Sequence, residues 1–305
     1  MDVLYLLERL RVPVINEFML LITQFGEETA FLVTALILFW CVDKYKGYYI
    51  LSVGFIGTVA NQFMKLLFRV PRPWILDENF TILEQAREAA AGYSFPSGHT
   101  QSAVGTFGGI AYTTKNRWIR ITAIFIAIFV PLSRMYVGVH TPLDVSVAAA
   151  LALVLIVALK PVVLGDTKRY IMPLQFLMTA MALGFLCYVE FYNFPVDIDS
   201  HNLASGLKNA YTLLGALLGL IVVYIVDEKW IKFSVKAVWW AQILKVMIGL
   251  GLVLAIKSGL KTPLNMLLGE SVGRAVRYFL MVVTAGCIWP LSFKGFEKFE
   301  SRCTK

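Results

Sequence analysis

The stretch Ser133-Arg-Met-Tyr-Val-Gly-Val-His-Thr-Pro-Leu-Asp144 runs directly into Val145–Val163, and no charged residue occurs between Val145 and Leu159. The 141–163 segment is therefore long enough to cross a bilayer, which takes roughly 20 apolar residues. Charged groups placed at the mouth of such a segment are costly, and they point to a task. Working outward, further apolar segments lie near 28–43, 47–70, 98–115, 118–137, 169–190, 205–226, 237–257 and 273–293. The pattern predicts an all-α, polytopic transmembrane helical bundle of about nine spans. The segments at 28–43 and 98–115 are the shortest. The latter contains Ser, Thr and several Gly, which suits a helix packed inside the bundle better than one facing lipid.

Composition agrees. Hydrophobic residues make up 58% of the 305 and charged residues 16%, with a mean hydropathy of +0.69. A soluble domain carries about 25% charged and 45–50% apolar residues. Disorder, a collagen-like chain and a water-soluble globule are excluded. The net charge of +8 sets orientation in a membrane chain, and no basic, aromatic-interleaved tract suggests nucleic acid. Cys41, Cys187, Cys287 and Cys303 are scattered without CxxC or zinc spacing, so buried thiols are expected.

Residues 3–24 mix apolar and charged positions at roughly helical spacing, as expected of interfacial helices and not of a signal peptide. No repeat of fixed period is visible. The expected organisation is interfacial helices over 1–27, a catalytic membrane core over 28–165 and accessory transmembrane helices over 166–305. Fifteen of the 28 Lys and Arg residues fall in the loops of one face together with the C-terminus. That face is expected to be cytoplasmic. The N-terminus and the 71–97 loop then lie on the extracytoplasmic side, and the expected location is a bacterial plasma membrane.

Four polar clusters share that extracytoplasmic level. Lys65 and Arg72-Pro73 close the second span, and Tyr93-Ser-Phe-Pro-Ser-Gly-His-Thr100 opens the third. Ser133-Arg134 close the fourth, and His140-Thr-Pro-Leu-Asp144 open the fifth. Lys65, Arg72 and Arg134 bring three positive charges, two of them planar forks that suit phosphate oxygens. Ser97, Gly98 and the helix start beside them add a hydroxyl and backbone N–H donors at a positive dipole end. The set forms a cradle for a dianion, most naturally a phosphoryl group. One neutral imidazole can attack phosphorus and a second, protonated, can donate to the leaving oxygen. Asp144, four residues after His140, can hold the attacking ring in one tautomer.

Each piece alone has a plainer reading. Lys65 could snorkel to the interface, Ser97-Gly98 could merely cap a helix, and His140 with Asp144 could be a structural cap. Their coincidence at one level favours a site. His201, in a polar loop, is expected to be a bystander.

The spacings resemble the signature of the type 2 phosphatidic acid phosphatase (PAP2) superfamily. K-x6-RP is met by Lys65 through Arg72-Pro73, PSGH by Pro96 to His99, and SR-x5-H-x3-D by Ser133-Arg134, His140 and Asp144. The resemblance covers residues 65–144 without a departure. It implies a PAP2-type core, His140 as a nucleophile forming a phosphohistidine, and Asp144 as its orienting partner. It implies His99 as acid for the leaving group and then as activator of water. Lys65, Arg72, Ser97, Gly98 and Arg134 would be phosphate ligands, with no cofactor and no divalent metal.

A site at the membrane surface favours a phosphorylated lipid that enters from the bilayer. Phosphatidate, lysophosphatidate, sphingoid phosphates, phosphatidylglycerol phosphate and polyprenyl pyrophosphate all fit that description. A soluble sugar phosphate, as in the glucose-6-phosphatase branch, and transfer to a lipid alcohol are alternatives. An anion or lipid transporter is the competing class, but such proteins place their site near the midplane between repeated halves.

Overall fold

In the computed structural model, which describes residues 1–296 except 89, 91, 167 and 197, every regular element is helical. Seven helical segments are long and apolar enough to cross a membrane, namely Lys44–Leu76, Arg117–Tyr136, Pro142–Leu164, Lys168–Phe191, Ser200–Ile231, Trp239–Gly259 and Glu270–Phe296. An eighth exists if Pro13–Gly26 and Glu28–Val42, bent by 57° at Glu27, form one broken span. The protein is thus an integral membrane protein, but the expected count of nine is not reached. Residues 28–43 approach span length only together with the preceding helix. The segment expected at 98–115 is helical over 98–113, short of the roughly 20 residues a crossing needs.

By its internal contacts the chain divides into two compact units. The first comprises residues 1–32, 53–161 and 194–206. Its elements are drawn from α1 (Asp2–Arg9), α2 (Pro13–Thr23), α3 (Glu28–Ile37), α4 (Lys44–Phe68), α5 (Pro73–Leu76), α6 (Gly98–Ala103), α7 (Gly109–Thr113), α8 (Arg117–Tyr136) and α9 (Pro142–Leu164). Proline at the first helical position starts α2, α5 and α9, where its missing N–H has no helical partner to lose. Asn116 caps α8, its Oδ1 accepting from the N–H groups of Trp118 (2.9 Å) and Ile119 (3.2 Å). A wider turn over Val104–Gly108 joins α6 to α7.

The core of this unit is built from Ile22 of α2, Ala103, Phe107 and Ala111 of the α6–α7 stretch, and Ala123, Ile126 and Val130 of α8. The two N-terminal helices, expected in the interface, are α1 and α2. They are tied to the loop after α5 and to the end of α8. Tyr5 Oη donates to Asp77 Oδ2 (2.8 Å). Arg11 donates through Nε to the Tyr136 carbonyl (3.1 Å) and through Nη1 to that of Thr81 (2.9 Å). These bonds fix the turn 137–139, where Gly138 takes a left-handed φ of +89° that a side chain would strain.

The second unit comprises residues 33–52, 162–193 and 207 onward. It includes α10 (Ile171–Phe191), most of α11 (Ser200–Val226), α12 (Trp239–Gly259), α13 (Lys261–Leu268) and α14 (Glu270–Val283). Gly215 and Gly219, four residues apart on α11, face the backbone of α14, and a Cβ at Gly219 would come within 3.0 Å of the Phe279 carbonyl oxygen. Small residues at this spacing let two membrane helices touch along their backbones. Cys287 is buried and Cys41 half-buried, but Cys187 is exposed, against the expectation of a buried thiol; Cys303 lies outside the described residues. His201 is exposed in the first turn of α11, not in a loop.

Candidate active site

Lys65, Arg72, Ser97, Gly98, His99, Arg134, His140 and Asp144 all belong to the first unit. Five of them, Lys65, Arg72, Arg134, His140 and Asp144, are charged or ionisable and almost fully buried. Burying that many such groups in a membrane protein requires partners, either in the fold or in a ligand.

The segment 92–94 crosses the end of α4 and supplies some of these partners. Lys65 Nζ donates to the Tyr93 carbonyl, and Arg72 Nε to that of Gly92 (3.0 Å). Ser94 N–H is bound to the Val70 carbonyl (2.8 Å), which holds the segment in place. Arg72 also donates through Nη1 to the Val139 carbonyl (2.9 Å) and lies 3.0 Å from His140 Nε2.

Asp144 does two things at once. Its Oδ2 accepts from the Thr141 N–H (2.7 Å), while Thr141 Oγ1 accepts from the Asp144 N–H (3.3 Å). This reciprocal pair is a capping box at the start of α9. The same Oδ2 accepts from Ser94 Oγ (2.6 Å) and lies 3.5 Å from His140 Nδ1. Ser94 Oγ is itself 3.4 Å from Nδ1, so hydroxyl and carboxylate together face that side of the ring. The structural cap and the histidine partner are therefore one residue. Burial, and then the Arg72, Arg134 and Lys65 cations, hold the His140 imidazole well below its ordinary pKa, so the ring is neutral near pH 7.

Arg134 and His99 complete the other side. Arg134 is fully buried and donates through Nη1 to Thr23 Oγ1 (2.9 Å), whereas its Nε and Nη2 have no hydrogen-bond partner among the described residues. His99 Nε2 is buried and unpartnered as well. Ser97 caps α6, its Oγ accepting from the Thr100 N–H (3.4 Å), and its own N–H donates to the Asp144 carbonyl (3.1 Å). The start of α6 is thus stitched to the start of α9. Among the described residues no three His, Cys, Asp or Glu side chains converge to hold a metal ion.

Sequence reasoning passed over Thr23, Ser94 and Asn61. Ser94 lies inside the quoted Tyr93–Thr100 stretch, and Asn61 is one helical turn before Lys65, so both carried a positional signal. Thr23 is 111 residues from Arg134 in the chain and carried none.

Comparison with known proteins agrees with this geometry. The PAP2 superfamily profile matches residues 45–168, and that of the PAP2 superfamily phosphatase transmembrane extension matches 211–301. An undecaprenyl-diphosphatase of Sulfolobus acidocaldarius is 31% identical over 136 residues, 44% of this chain and 64% of the relative. The phosphatidylglycerophosphatase B of Bacillus subtilis is 30% identical over 164 residues, 50% of this chain and 76% of the relative. The human sphingosine-1-phosphate phosphatase 2 is 25% identical over 56% of this chain and 43% of its own length. This chain thus spans less than two thirds of the Sulfolobus relative. No solved structure matches it. The signature spacing, its convergence in one buried cluster and these matches together make the chain a member of the PAP2 superfamily.

Proposed function

We propose that the protein is an integral membrane phosphatase that hydrolyses a lipid phosphate monoester or lipid pyrophosphate through a phosphohistidine. One observation carries this reading: His140 stands against Asp144 and Ser94 on one side and Arg72 on the other, in one buried cluster with Arg134 and His99 nitrogens that have no partner among the described residues.

In the first step the His140 Nε2 lone pair forms a bond to phosphorus and the bond to the lipid oxygen breaks. That oxygen takes a proton from His99. In the second step water attacks phosphorus, His99 takes its proton back from the water, and the N–P bond breaks to free phosphate. Arg72, which lies against Nε2, turns to a phosphate oxygen as substrate enters. Arg134 meets two oxygens with Nε and Nη2, a bidentate geometry that lysine cannot supply. Lys65, Ser97 and the Gly98 N–H hold the rest. Charge is stabilised by these fixed donors, so no divalent cation is required.

The names of the relatives support a lipid phosphate over a sugar phosphate. The count of basic residues supports an extracytoplasmic site with the C-terminus in the cytoplasm. The test is phosphate release by purified protein from phosphatidate, a sphingoid phosphate, polyprenyl pyrophosphate and glucose 6-phosphate, with and without EDTA. Turnover of at least one lipid, unchanged by EDTA and inhibited by orthovanadate, is expected. Turnover of glucose 6-phosphate alone, or a requirement for Mg²⁺, would overturn the assignment.

A further inference from the structure

Gly98, at the start of α6, differs from the glycines around it. A Cβ at Gly26 would come within 2.8 Å of Val130 Cγ1 and 2.9 Å of the His99 carbonyl oxygen. One at Gly57 would strike the Gln101 side chain. Close packing demands those two glycines. A Cβ at Gly98 would meet one group within 4 Å, Asn61 Oδ1 at 3.9 Å, and Gly98 is not among the left-handed glycines. Neither backbone nor packing requires glycine there. The absence of a side chain keeps a space open at the positive end of α6, and Asn61 stands on the wall of that space.

Asn61 is 1% exposed. Neither its Nδ2 nor its Oδ1 has a hydrogen-bond partner among the described residues. A buried primary amide without partners bears its full desolvation penalty, and native folds rarely tolerate one without a reason. It lies four residues before Lys65, so the two side chains share one face of α4. A neutral donor also fits the electrostatics. Lys65, Arg72 and Arg134 already outnumber the charge of a phosphoryl dianion, and a further cation would add only repulsion.

We propose that Asn61 is a further phosphate-binding residue. Oδ1 is the atom that faces Gly98. Because neither amide atom is held by a partner among the described residues, a half-turn about χ2 brings Nδ2 into its place to donate to the equatorial oxygen that the Gly98 N–H also holds. This assignment rests on the phosphohistidine reading above and names one more contact to the same transferring group. A ligand oxygen beside Gly98 would supply the partner that the amide lacks among the described residues.

The test uses the purified full-length protein in detergent, with orthovanadate as probe of the trigonal-bipyramidal phosphoryl group. Asn61→Leu keeps the size of the side chain and removes both polar atoms. Vanadate inhibition should weaken at least tenfold, and kcat/KM should fall by a similar factor. The melting temperature should hold or rise, because a buried unpartnered amide has been replaced by a packed apolar group. Inhibition within tenfold of wild type in the folded variant would overturn the proposal. Should the leucine variant not fold, Asn61→Asp decides. It sets a carboxylate against the anion, so vanadate inhibition should be lost at pH 7 in a folded protein, and retained inhibition would overturn the assignment. Wild type is measured alongside. If vanadate does not inhibit it, the phosphohistidine reading has failed; if only the variants match wild type, the Asn61 assignment alone has failed.

Discussion

Each unit of this protein holds a cluster of charged side chains around a buried carboxylate, and the two clusters differ in what their atoms touch. In the second unit, Lys44 Nζ donates to Asp227 Oδ2 (2.6 Å) and lies 3.8 Å from Glu228 Oε1. Asp227 Oδ1 accepts from the Phe233 N–H (3.2 Å), and Tyr45 Oη donates to Glu228 Oε1 (2.9 Å). One cation faces two carboxylates, and each of these charged groups has a partner within the unit. In the first unit three cations face one buried carboxylate, Asp144, whose Oδ2 is already occupied by Ser94 and Thr141. Nitrogens of Arg134, His99 and Asn61 are left without partners among the described residues. The second-unit cluster closes on itself, whereas the one proposed to bind an anion keeps positive charge and donors open. Arg277, in α14, also leaves Nε and Nη1 unpartnered, and neither cluster accounts for it.

The sharpest way to break this contrast is to remove the proposed nucleophile. His140→Ala should lower phosphate release by about 10⁴-fold or more, since such a group acts as part of a unit whose loss removes most of the rate. Its melting temperature should stay close to wild type. Activity within tenfold of wild type would take His140 out of that role. The counterpart in the second unit is Asp227→Ala, which leaves Lys44 without its main partner. Asp227 is fully buried but Lys44 is partly exposed, so the loss falls between the ~1 kcal/mol of an exposed pair and the ~3–5 kcal/mol of a buried one. A drop in melting temperature is expected, with turnover per folded molecule unchanged. If activity fell and stability did not, the two clusters would have been assigned the wrong way round.

A smaller effect probes the open space. Gly98→Ala should fold normally, because the added methyl meets nothing closer than 3.9 Å. It should nevertheless cost on the order of a hundredfold in kcat/KM, the usual penalty for displacing a reacting group by about 1 Å. Normal kcat/KM would show that the space is not part of the site.

The smallest effect belongs to Ser94→Ala. Losing one hydrogen bond to a carboxylate should reduce kcat by about tenfold, with KM little changed. Burial and the neighbouring cations hold His140 neutral to well below pH 6.5. The acid limb of the wild-type pH profile should accordingly lie below that value, and in Ser94→Ala it should move. A profile identical to wild type would leave Ser94 a packing residue only.

Much of this was legible in the sequence, for reasons that particular residues illustrate. Lys65, Arg72, Arg134, His140 and Asp144 stand out because charge inside an apolar run is rare, and their positions at the ends of successive apolar segments predict that they meet. Asn61, Ser94 and Thr23 did not stand out, because uncharged polar residues are common in membrane helices and their meaning comes only from what they face. The span count failed differently. Hydropathy measures the length of an apolar run, but it does not register that residues 13–26 and 28–42 are two arms of one bent pair. It also cannot tell that 98–113 is a short helix packed against α2 and α8. A structural cap and a partner for His140 are alternative readings of Asp144 in the sequence, and in the fold one carboxylate makes the cap and lies 3.5 Å from the ring.

That shared carboxylate has a consequence for reading mutational scans. At position 140 the abundance of the protein and its turnover should separate cleanly, since the ring anchors no helix. At position 144 they cannot separate. Any substitution there frays the first turn of α9 and frees the histidine together, so a scan scored by abundance would flag the position as a folding determinant and one scored by product as catalytic. Neither score alone would describe what Asp144 does.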